Sequence, residues 1–220
     1  MRTCFTKRTG GESHGAFASL NLGTHVGDDL EVVARNRAIA AADFGPVQYM
    51  NQVHSDRIAI IEEITEEVPT ADALVTGIPG IGLAVMVADC IPLLLHSPEV
   101  VAAVHVGRKG LVNGIALKTI TLMQEMGASS IAATIGPAIC GRCYEVSEDV
   151  YSEVTSLFPL AASRTLNDTC ALDLPKALRG VLESLAIEIR DESVCTVESS
   201  DHFSYRRDGI TGRQAGFITL

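Results

Sequence analysis

Two imidazoles and a thiol, His54, Cys90 and His105, each stand at the end of an apolar run, in the strings Gln52-Val53-His54, Ala88-Asp89-Cys90 and Val104-His105-Val106-Gly107. Such a trio is the donor set of a three-ligand zinc centre, which keeps its fourth tetrahedral position for water or substrate, whereas a structural zinc is normally closed by four ligands. The gaps of 36 and 15 residues between them match no local zinc signature, so spacing alone leaves other readings open. Without a metal, Cys90 could be a nucleophile with His54 or His105 as its base, as in cysteine hydrolases. Plainer still, buried cysteines and backbone-bonded histidines are common at strand ends. The trio also suits a single copper ion, but a multicopper cluster needs several further imidazoles, and only His14, His25, His96 and His202 remain, scattered along the chain.

The other residues with chemistry to offer are cationic or sulfur-bearing. Gly107-Arg108-Lys109-Gly110 follows an apolar run and precedes a helical pattern, so its amides and the Lys109 ammonium could hold an anion. Arg206 and Arg207, between Tyr205 and Asp208 with Arg213 nearby, form a second basic cluster suited to phosphate or carboxylate. Cys140-Gly141-Arg142-Cys143 is a lone pair of cysteines, a weak zinc or redox signal without a second pair, and reads as an ordered loop after the Gly136-Pro137 turn. A formal charge of −10 disfavours nucleic acid, whose affinity comes from lysines and arginines displacing counterions, and leaves small molecules as the expected partners. Apolar runs stay far short of the ~20 residues that span a bilayer. The polar start Met1-Arg2-Thr3 lacks the pattern of a secretory signal, so a cytoplasmic address with six reduced thiols is expected.

These residues need a scaffold, and the periodicities supply one. A strand is expected near Cys4-Phe5, then a long loop from Gly10 to Asp29 rich in Gly, Ser, His and Asn. Asp28 or Asp29 caps a helix over Leu30 to Asp43, whose apolar positions are Leu30, Val33, Ala34, Ala38 and Ala41. Val47 to Val53 and Ile58 to Ile64 read as strands, while Leu83 to Val87, Ile91 to Leu95 and Val100 to Val106 read as central strands buried on both faces. Leu111 to Met126 reads as one helix, Ile131 to Ile135 as a strand, and Ser147 and Asp173 as caps of helices reaching Phe158 and Ile187. Val194 to Val197 and Ala215 to Leu220 complete the strands. The expected fold class is α+β: one domain over residues 1–220, with mixed β-sheet layers flanked by helices.

Read together, the ordered strings resemble the laccase-domain, or multicopper polyphenol oxidase-like, family now associated with purine nucleoside phosphorolysis and peptidoglycan editing. The resemblance is carried by Gly10-Gly11, Ala18-Ser19-Leu20-Asn21-Leu22-Gly23, Val26-Gly27-Asp28-Asp29, Asn36-Arg37, Gln52-Val53-His54, Ala71-Asp72-Ala73-Leu74-Val75-Thr76 and Ala88-Asp89-Cys90. Downstream, Gly136-Pro137-Ala138-Ile139, Cys143-Tyr144-Glu145-Val146, Phe203 through Gly209 and Gly212-Arg213-Gln214-Ala215-Gly216-Phe217 continue it.

The resemblance implies one zinc ion at His54, Cys90 and His105, the same trio acting in catalysis, and a fold similar to cysteine-hydrolase-like toxin domains. It implies phosphorolysis of adenosine, inosine and methylthioadenosine, with adenosine deamination beside it, and substrate contacts from Asn21, Arg37, Asp72, Lys109, Arg206 and Arg207. A cysteine-dependent amidase or deamidase acting on peptidoglycan precursors is the alternative enzyme, and a metal-binding protein without catalysis is a third class. Where the family typically reads His-Ala-Gly-Trp-Arg-Gly, this chain has His105-Val106-Gly107-Arg108-Lys109-Gly110, and a lysine cannot reproduce a guanidinium's bidentate grip on phosphate. Zinc deaminases carry a His-x-Glu string that this chain lacks, which leaves Asp72, Asp89 and Glu145 as candidate proton carriers.

Overall fold

The three strongest apolar runs lie at the centre of the molecule, and their alternation builds its layers. The computed structural model describes residues 1–220. Its strands are β1 (Arg2–Phe5), β2 (Val47–Gln48), β3 (Ile58–Ile60), β4 (Ala73–Thr76), β5 (Gly82–Val87), β6 (Ile91–His96), β7 (Val101–Val106), β8 (Ala132–Ile135), β9 (Ala162–Arg164), β10 (Cys170–Leu172), β11 (Glu188–Asp191) and β12 (Gln214–Thr219). The helices are α1 (Leu30–Ala41), α2 (Arg108–Val112), α3 (Ile115–Glu125), α4 (Glu148–Leu157), α5 (Leu174–Ser184) and α6 (Tyr205–Asp208).

Two mixed sheets stack face to face. One has the order β1-β12-β5-β2, the other β11-β8-β6-β7-β4-β3, and β9 and β10 form a small hairpin apart from both. Because successive side chains on a strand point to opposite faces, β5 sends Leu83, Val85 and Val87 between the sheets, where they meet Leu74, Leu94, Val101, Ala103 and Ile218. Its other residues, Ala84 and Met86, join Leu20, Leu22, Tyr49 and Phe217 on the outer face, which the N-terminal loop and the end of α1 cover. On the far side of the six-stranded sheet, Ile91, Leu93, Leu95, Ala102, Val104 and Val106 pack against Leu111, Ile115, Ile120 and Met123 of α2 and α3 and Leu174, Leu178 and Leu182 of α5. The result is four layers, helix, sheet, sheet, helix, and each central strand is buried on both faces as its composition requires.

Several expectations change. The helix foreseen over Leu111 to Met126 is two helices, because Gly114 adopts a left-handed φ of +72° between α2 and α3. Helix α1 is capped by Asp29, which accepts from the amides of Glu31 and Val32, but it buries Val33 and Asn36 and leaves Leu30 exposed. Its inner face is centred on Asn36 rather than on the alanines, since Asn36 supplies the hydrogen bonds that hold the Ser13 to Asn21 loop. Val194 to Val197 forms no strand and makes only an isolated bridge from Cys195 to Ala138; the strand beside β8 is β11, which pairs with it in parallel. The strand expected to run to Val53 stops at Gln48, and the remainder crosses the end of the sandwich as loop. β4, β9, β10 and β11, each three or four residues long, are too short for the periodicity to announce.

Candidate metal centre and anion pocket

The chain passes from one sheet to the other through Ala88-Asp89-Cys90, the three residues between β5 and β6. Asp89 takes a left-handed φ of +99° to make that step. Its carboxylate secures the turn, accepting from Thr196 Oγ1 at 2.6 Å, Ser204 Oγ at 2.7 Å and the Arg206 amide at 2.7 Å, while its carbonyl accepts from the Ile139 amide. Cys90 is thereby held at the mouth of the gap between the sheets. His105 reaches the same gap from β7, whose even-numbered neighbours Val104 and Val106 face the helices instead.

The third donor arrives on a loop, and one buried carboxylate positions it. Asp72, with no exposed surface, accepts from the amides of Val53, His54 and Ser55 at 3.3, 3.0 and 2.6 Å, from Ser55 Oγ at 2.7 Å and from His105 Nδ1 at 2.8 Å. Gln52 adds a two-point clamp to the backbone of Met86, at 2.7 and 2.9 Å. His54 itself takes a left-handed φ of +59°, a conformation that persists because these bonds over-determine it.

With Nδ1 of His105 bonded to Asp72, its Nε2 is the nitrogen free to bind, and orientation by a carboxylate is the usual device around metal-ligating histidines. His54 Nε2 lies 3.7 Å from Cys90 Sγ, and the two imidazole rings meet edge to face with centroids 4.7 Å apart. The donor atoms of all three residues fall within 4.8 Å of one another. A cysteine sulfur with two imidazole nitrogens is a donor set that zinc accepts, so the residues present fit the ion. Burial alone would push the Cys90 thiol up, but the charge and hydrogen bond of His105, with a contribution from His54, bring it down to about 6. Burial pulls His105 down, and the Cys90 thiolate and the Asp72 carboxylate reverse this and raise it to about 9. Burial likewise opposes ionisation of Asp72, but the bonds from His105 and Ser55 hold it below the usual carboxylate range.

The trio lines a cavity of about 790 Å³, within the usual size of small-molecule sites. Tyr49, Met50, Val68, Met86, Val87, Ile139 and Tyr144 give it flat or apolar walls, and Arg37, Arg206 and Arg213 give it cations. None of these three arginines forms a salt bridge, although seven others in the chain do. Arg37 stacks on Tyr49 with its guanidinium 3.9 Å from the ring centroid and donates to the Leu22 carbonyl; Arg206 donates to the Glu145 carbonyl and Arg213 to the carbonyls of Thr211 and Gly212. Each keeps further N–H donors, and carbonyl partners leave its charge unneutralised, which is the state that binds an anion. His25, pushed down by burial and by Arg213 and Arg37, adds a neutral imidazole to that wall.

Other expected contacts lie elsewhere. Asn21 is fully buried and joins Gly23, Asp28 and the Arg213 amide, so it positions the pocket wall rather than facing the cavity. Asp72 stands behind His105 in the same positioning role. Arg207 donates to the carbonyls of Thr196, Ser199 and His202 and pairs with Asp208, away from the cavity, and Lys109 is exposed on α2 outside it. Arg213, named in sequence only as a neighbour of the Arg206-Arg207 cluster, reaches the cavity through β12: its neighbour Gln214 pairs with Val87, so the β5–β12 register brings it to the start of the Ala88-Asp89-Cys90 crossing. Gly107 has a comparable role, because a Cβ there would sit 2.9 Å from His54 Cδ2 and 3.0 Å from Cys90 Sγ. One more group of donors converges, Cys140, Cys143, Cys195 and Glu198, so the cysteine pair that reads as isolated in sequence is not isolated in space.

Residues 2–220 match the family described as multi-copper polyphenol oxidoreductase laccase. The chain belongs to this family. Among its curated relatives, the Streptomyces coelicolor protein named purine nucleoside phosphorylase SCO2081 is 46% identical over 98% of this chain and 94% of its own length. The Corynebacterium glutamicum protein named purine nucleoside phosphorylase Cgl2154/cg2365 is 45% identical over 100% of this chain and 94% of its own. Two solved structures share the fold of this laccase-domain chain: Neisseria meningitidis protein NMB0706, with a TM-score of 0.90, 39% identity and coverage of 99% and 93% of the two chains, and YlmD from Geobacillus stearothermophilus, with 0.88, 35%, 99% and 91%. Despite the family's description, of the remaining histidines of this laccase-domain protein His25 alone lines the cavity of the trio; His14 lies on the N-terminal loop, His96 ends β6, and His202 bonds Ser199. No helix of the structure is long and apolar enough to cross a membrane.

Proposed function

We propose that this protein is a zinc-dependent purine nucleoside phosphorylase acting on adenosine, inosine and methylthioadenosine, in the cytoplasm. The observation that carries the reading is the meeting, in one cavity, of the His54, Cys90 and His105 donors with three arginines that have no carboxylate partner. In phosphorolysis a phosphate oxygen attacks the anomeric carbon, the glycosidic bond to the base breaks, and its electron pair leaves with the base. The reaction needs an anion clamp beside a nucleoside site. Arg37, Arg206 and Arg213 hold the phosphate in this reading, and the walls formed by Tyr49, Met50, Met86, Ile139 and Tyr144 take the flat purine. Asp72 fixes His105 and the His54 loop. His54, Cys90 and His105 would hold the zinc ion, which would supply a Lewis acid at the bound substrate. The names of the curated relatives support the same substrate class.

Adenosine deamination at this centre has less support, because Asp72 and Asp89 are engaged by several donors each and Glu145 lies outside the cavity, leaving no acidic side chain free to carry the proton. A metal-free cysteine amidase is the second reading, favoured by the His54–Cys90 contact of 3.7 Å and the lowered Cys90 thiol. The test incubates zinc-loaded protein with inosine, with and without phosphate, and follows hypoxanthine and ribose 1-phosphate. Equal amounts of both products, only when phosphate is present and lost on chelation, support the proposal. Base release without phosphate refutes phosphorolysis, and an amidase activity that survives complete metal removal favours the second reading.

A further inference from the structure

Beyond the cavity, two tight turns face each other on the wall that carries Ile139 and Tyr144. In the first, the amides of Cys143 and Tyr144 both donate to the Cys140 carbonyl at 3.1 Å, which turns the thiols of Cys140 and Cys143 to the same side. In the second, the Ser199 amide donates to the Cys195 carbonyl at 3.0 Å, a single helical turn that does the same for Cys195 and Glu198. Both turns therefore present donors at positions i and i+3, the C-x2-C spacing of zinc knuckles with glutamate as the fourth group. The turns are joined by the bridge of Ala138 and Cys195, in which Ala138 donates to Val194 and Thr196 donates to Ala138, each at 3.1 Å.

We propose that Cys140, Cys143, Cys195 and Glu198 form a second, structural metal site that takes one zinc ion, closed by these four ligands and separate from the His54, Cys90 and His105 centre. Their donor atoms lie within 4.8 Å of one another, the Cys140 amide points at Cys195 Sγ at 3.5 Å, and Cys143 Sγ lies 3.7 Å from Glu198 Oε1. Ligands about 2.3 Å from a tetrahedral zinc stand about 3.8 Å apart, so the site closes on the ion with a contraction of about 1 Å at most. The same closeness is too tight for an iron–sulfur cluster, whose thiolates must span several iron atoms. Three thiolates and a carboxylate leave a zinc site with excess negative charge, and Arg142, 3.3 Å from Glu198 Oε1, lies in place to offset part of it. On binding, the thiol protons pass to solvent.

The position explains what such an ion would do. Ile139 and Tyr144, on either side of the first turn, line the cavity, and Thr196, next to Cys195, donates to the Asp89 carboxylate that holds the Cys90 turn. A four-ligand ion here locks the wall of the pocket without entering it.

The experiment measures zinc content of the full-length, reduced protein and of Cys143→Ser and Cys90→Ala variants after equilibration in buffered zinc, with cobalt-substituted samples for spectroscopy. Expected are two zinc ions per wild-type chain and one in Cys143→Ser and in Cys90→Ala. Intense thiolate-to-cobalt charge transfer should persist in Cys90→Ala and fall in Cys143→Ser. Because Cys90→Ala empties only the catalytic centre, failure of that centre to bind zinc is distinguished from failure of this site. Wild-type protein with a single zinc ion that Cys90→Ala abolishes overturns the proposal. If Cys143→Ser fails to fold, the wild-type stoichiometry and the cobalt spectrum of Cys90→Ala still decide the matter.

Discussion

Replacing Asp72 with asparagine tests how the metal centre is held. The carboxylate accepts five hydrogen bonds, two on Oδ1 from the His54 amide and His105 Nδ1, and three on Oδ2 from the amides of Val53 and Ser55 and the Ser55 hydroxyl. Asparagine keeps one acceptor, and the less costly orientation leaves its oxygen toward the three donors and its NH2 facing the other two. Two donors without acceptors, the His105 Nδ1–H buried and the His54 amide part-buried, cost at most about 2–6 kcal/mol. His105 can relieve one of them by moving its proton from Nδ1 to Nε2, which lowers the loss to about 1–3 kcal/mol but blocks the nitrogen that would bind zinc. The expected result is an unfolding midpoint shifted by that smaller amount in metal-free protein, together with zinc affinity reduced about 10- to 100-fold, the usual effect of removing a histidine's orienting partner. Urea titration and competition with a chromophoric chelator measure the two. The acid limb should change as well. Asp72 is depressed when folded, so its contribution is present above the unfolded carboxylate value of about 3.9 and is lost as pH falls below it. The variant should lack that part of the acid destabilisation. Zinc affinity within two-fold of wild type, with an unchanged unfolding midpoint, would refute the role given to Asp72.

Other perturbations read the remaining parts. Gly107→Ala places a methyl 2.9 Å from His54 Cδ2 and 3.0 Å from Cys90 Sγ, so zinc affinity should fall at least about tenfold by chelator competition while the far-UV spectrum stays the same. Arg213→Ala removes a charge-assisted donor worth about 1.5–3 kcal/mol, which predicts a KM for phosphate raised about 10- to 150-fold and a smaller change for the nucleoside. Lys109→Ala, outside the cavity, should leave both within two-fold. In metal-free protein, Cys90 alkylation by iodoacetamide should rise with a midpoint near pH 6, because the thiolate forms above its lowered pKa, and His105→Ala should move that midpoint upward. An alkylation midpoint left in place by His105→Ala would show that the imidazolium does not stabilise the thiolate.

What was readable in the sequence follows from where local signals suffice. β5, β6 and β7 are almost wholly apolar, interrupted only by His96 and His105, and a strand covered on both faces needs nothing subtler. The caps at Asp29, Ser147 and Asp173 act within three residues of themselves, and each accepts the amide bonds expected of it. The donors His54, Cys90 and His105 stood out because each follows an apolar run. Their convergence was not readable from spacing, since it depends on β5 and β6 lying in different sheets and on Asp72, a carboxylate between His54 and Cys90 in sequence, that ties a loop to a strand. The cations were harder for the same reason. Arg206 and Arg207 are adjacent, yet Arg206 faces the cavity and Arg207 bonds carbonyls behind it, a distinction made by the short turn of α6. Arg213 reads in sequence only as a neighbour of that basic cluster; that it shares the cavity with Cys90, and that Cys195 and Glu198 join the Cys140 pair, emerges once β12 is placed against β5 and Cys195 against Ala138.

The most direct test of the account is a zinc-edge anomalous diffraction map of crystals grown with zinc and phosphate. The expected map shows a peak bonded to His54 Nε2, Cys90 Sγ and His105 Nε2 at about 2.0–2.3 Å, with one position open toward the cavity and a phosphate in contact with Arg37, Arg206 or Arg213. No peak between these three residues, or a phosphate held instead at Lys109 with the three arginines bare, would contradict it.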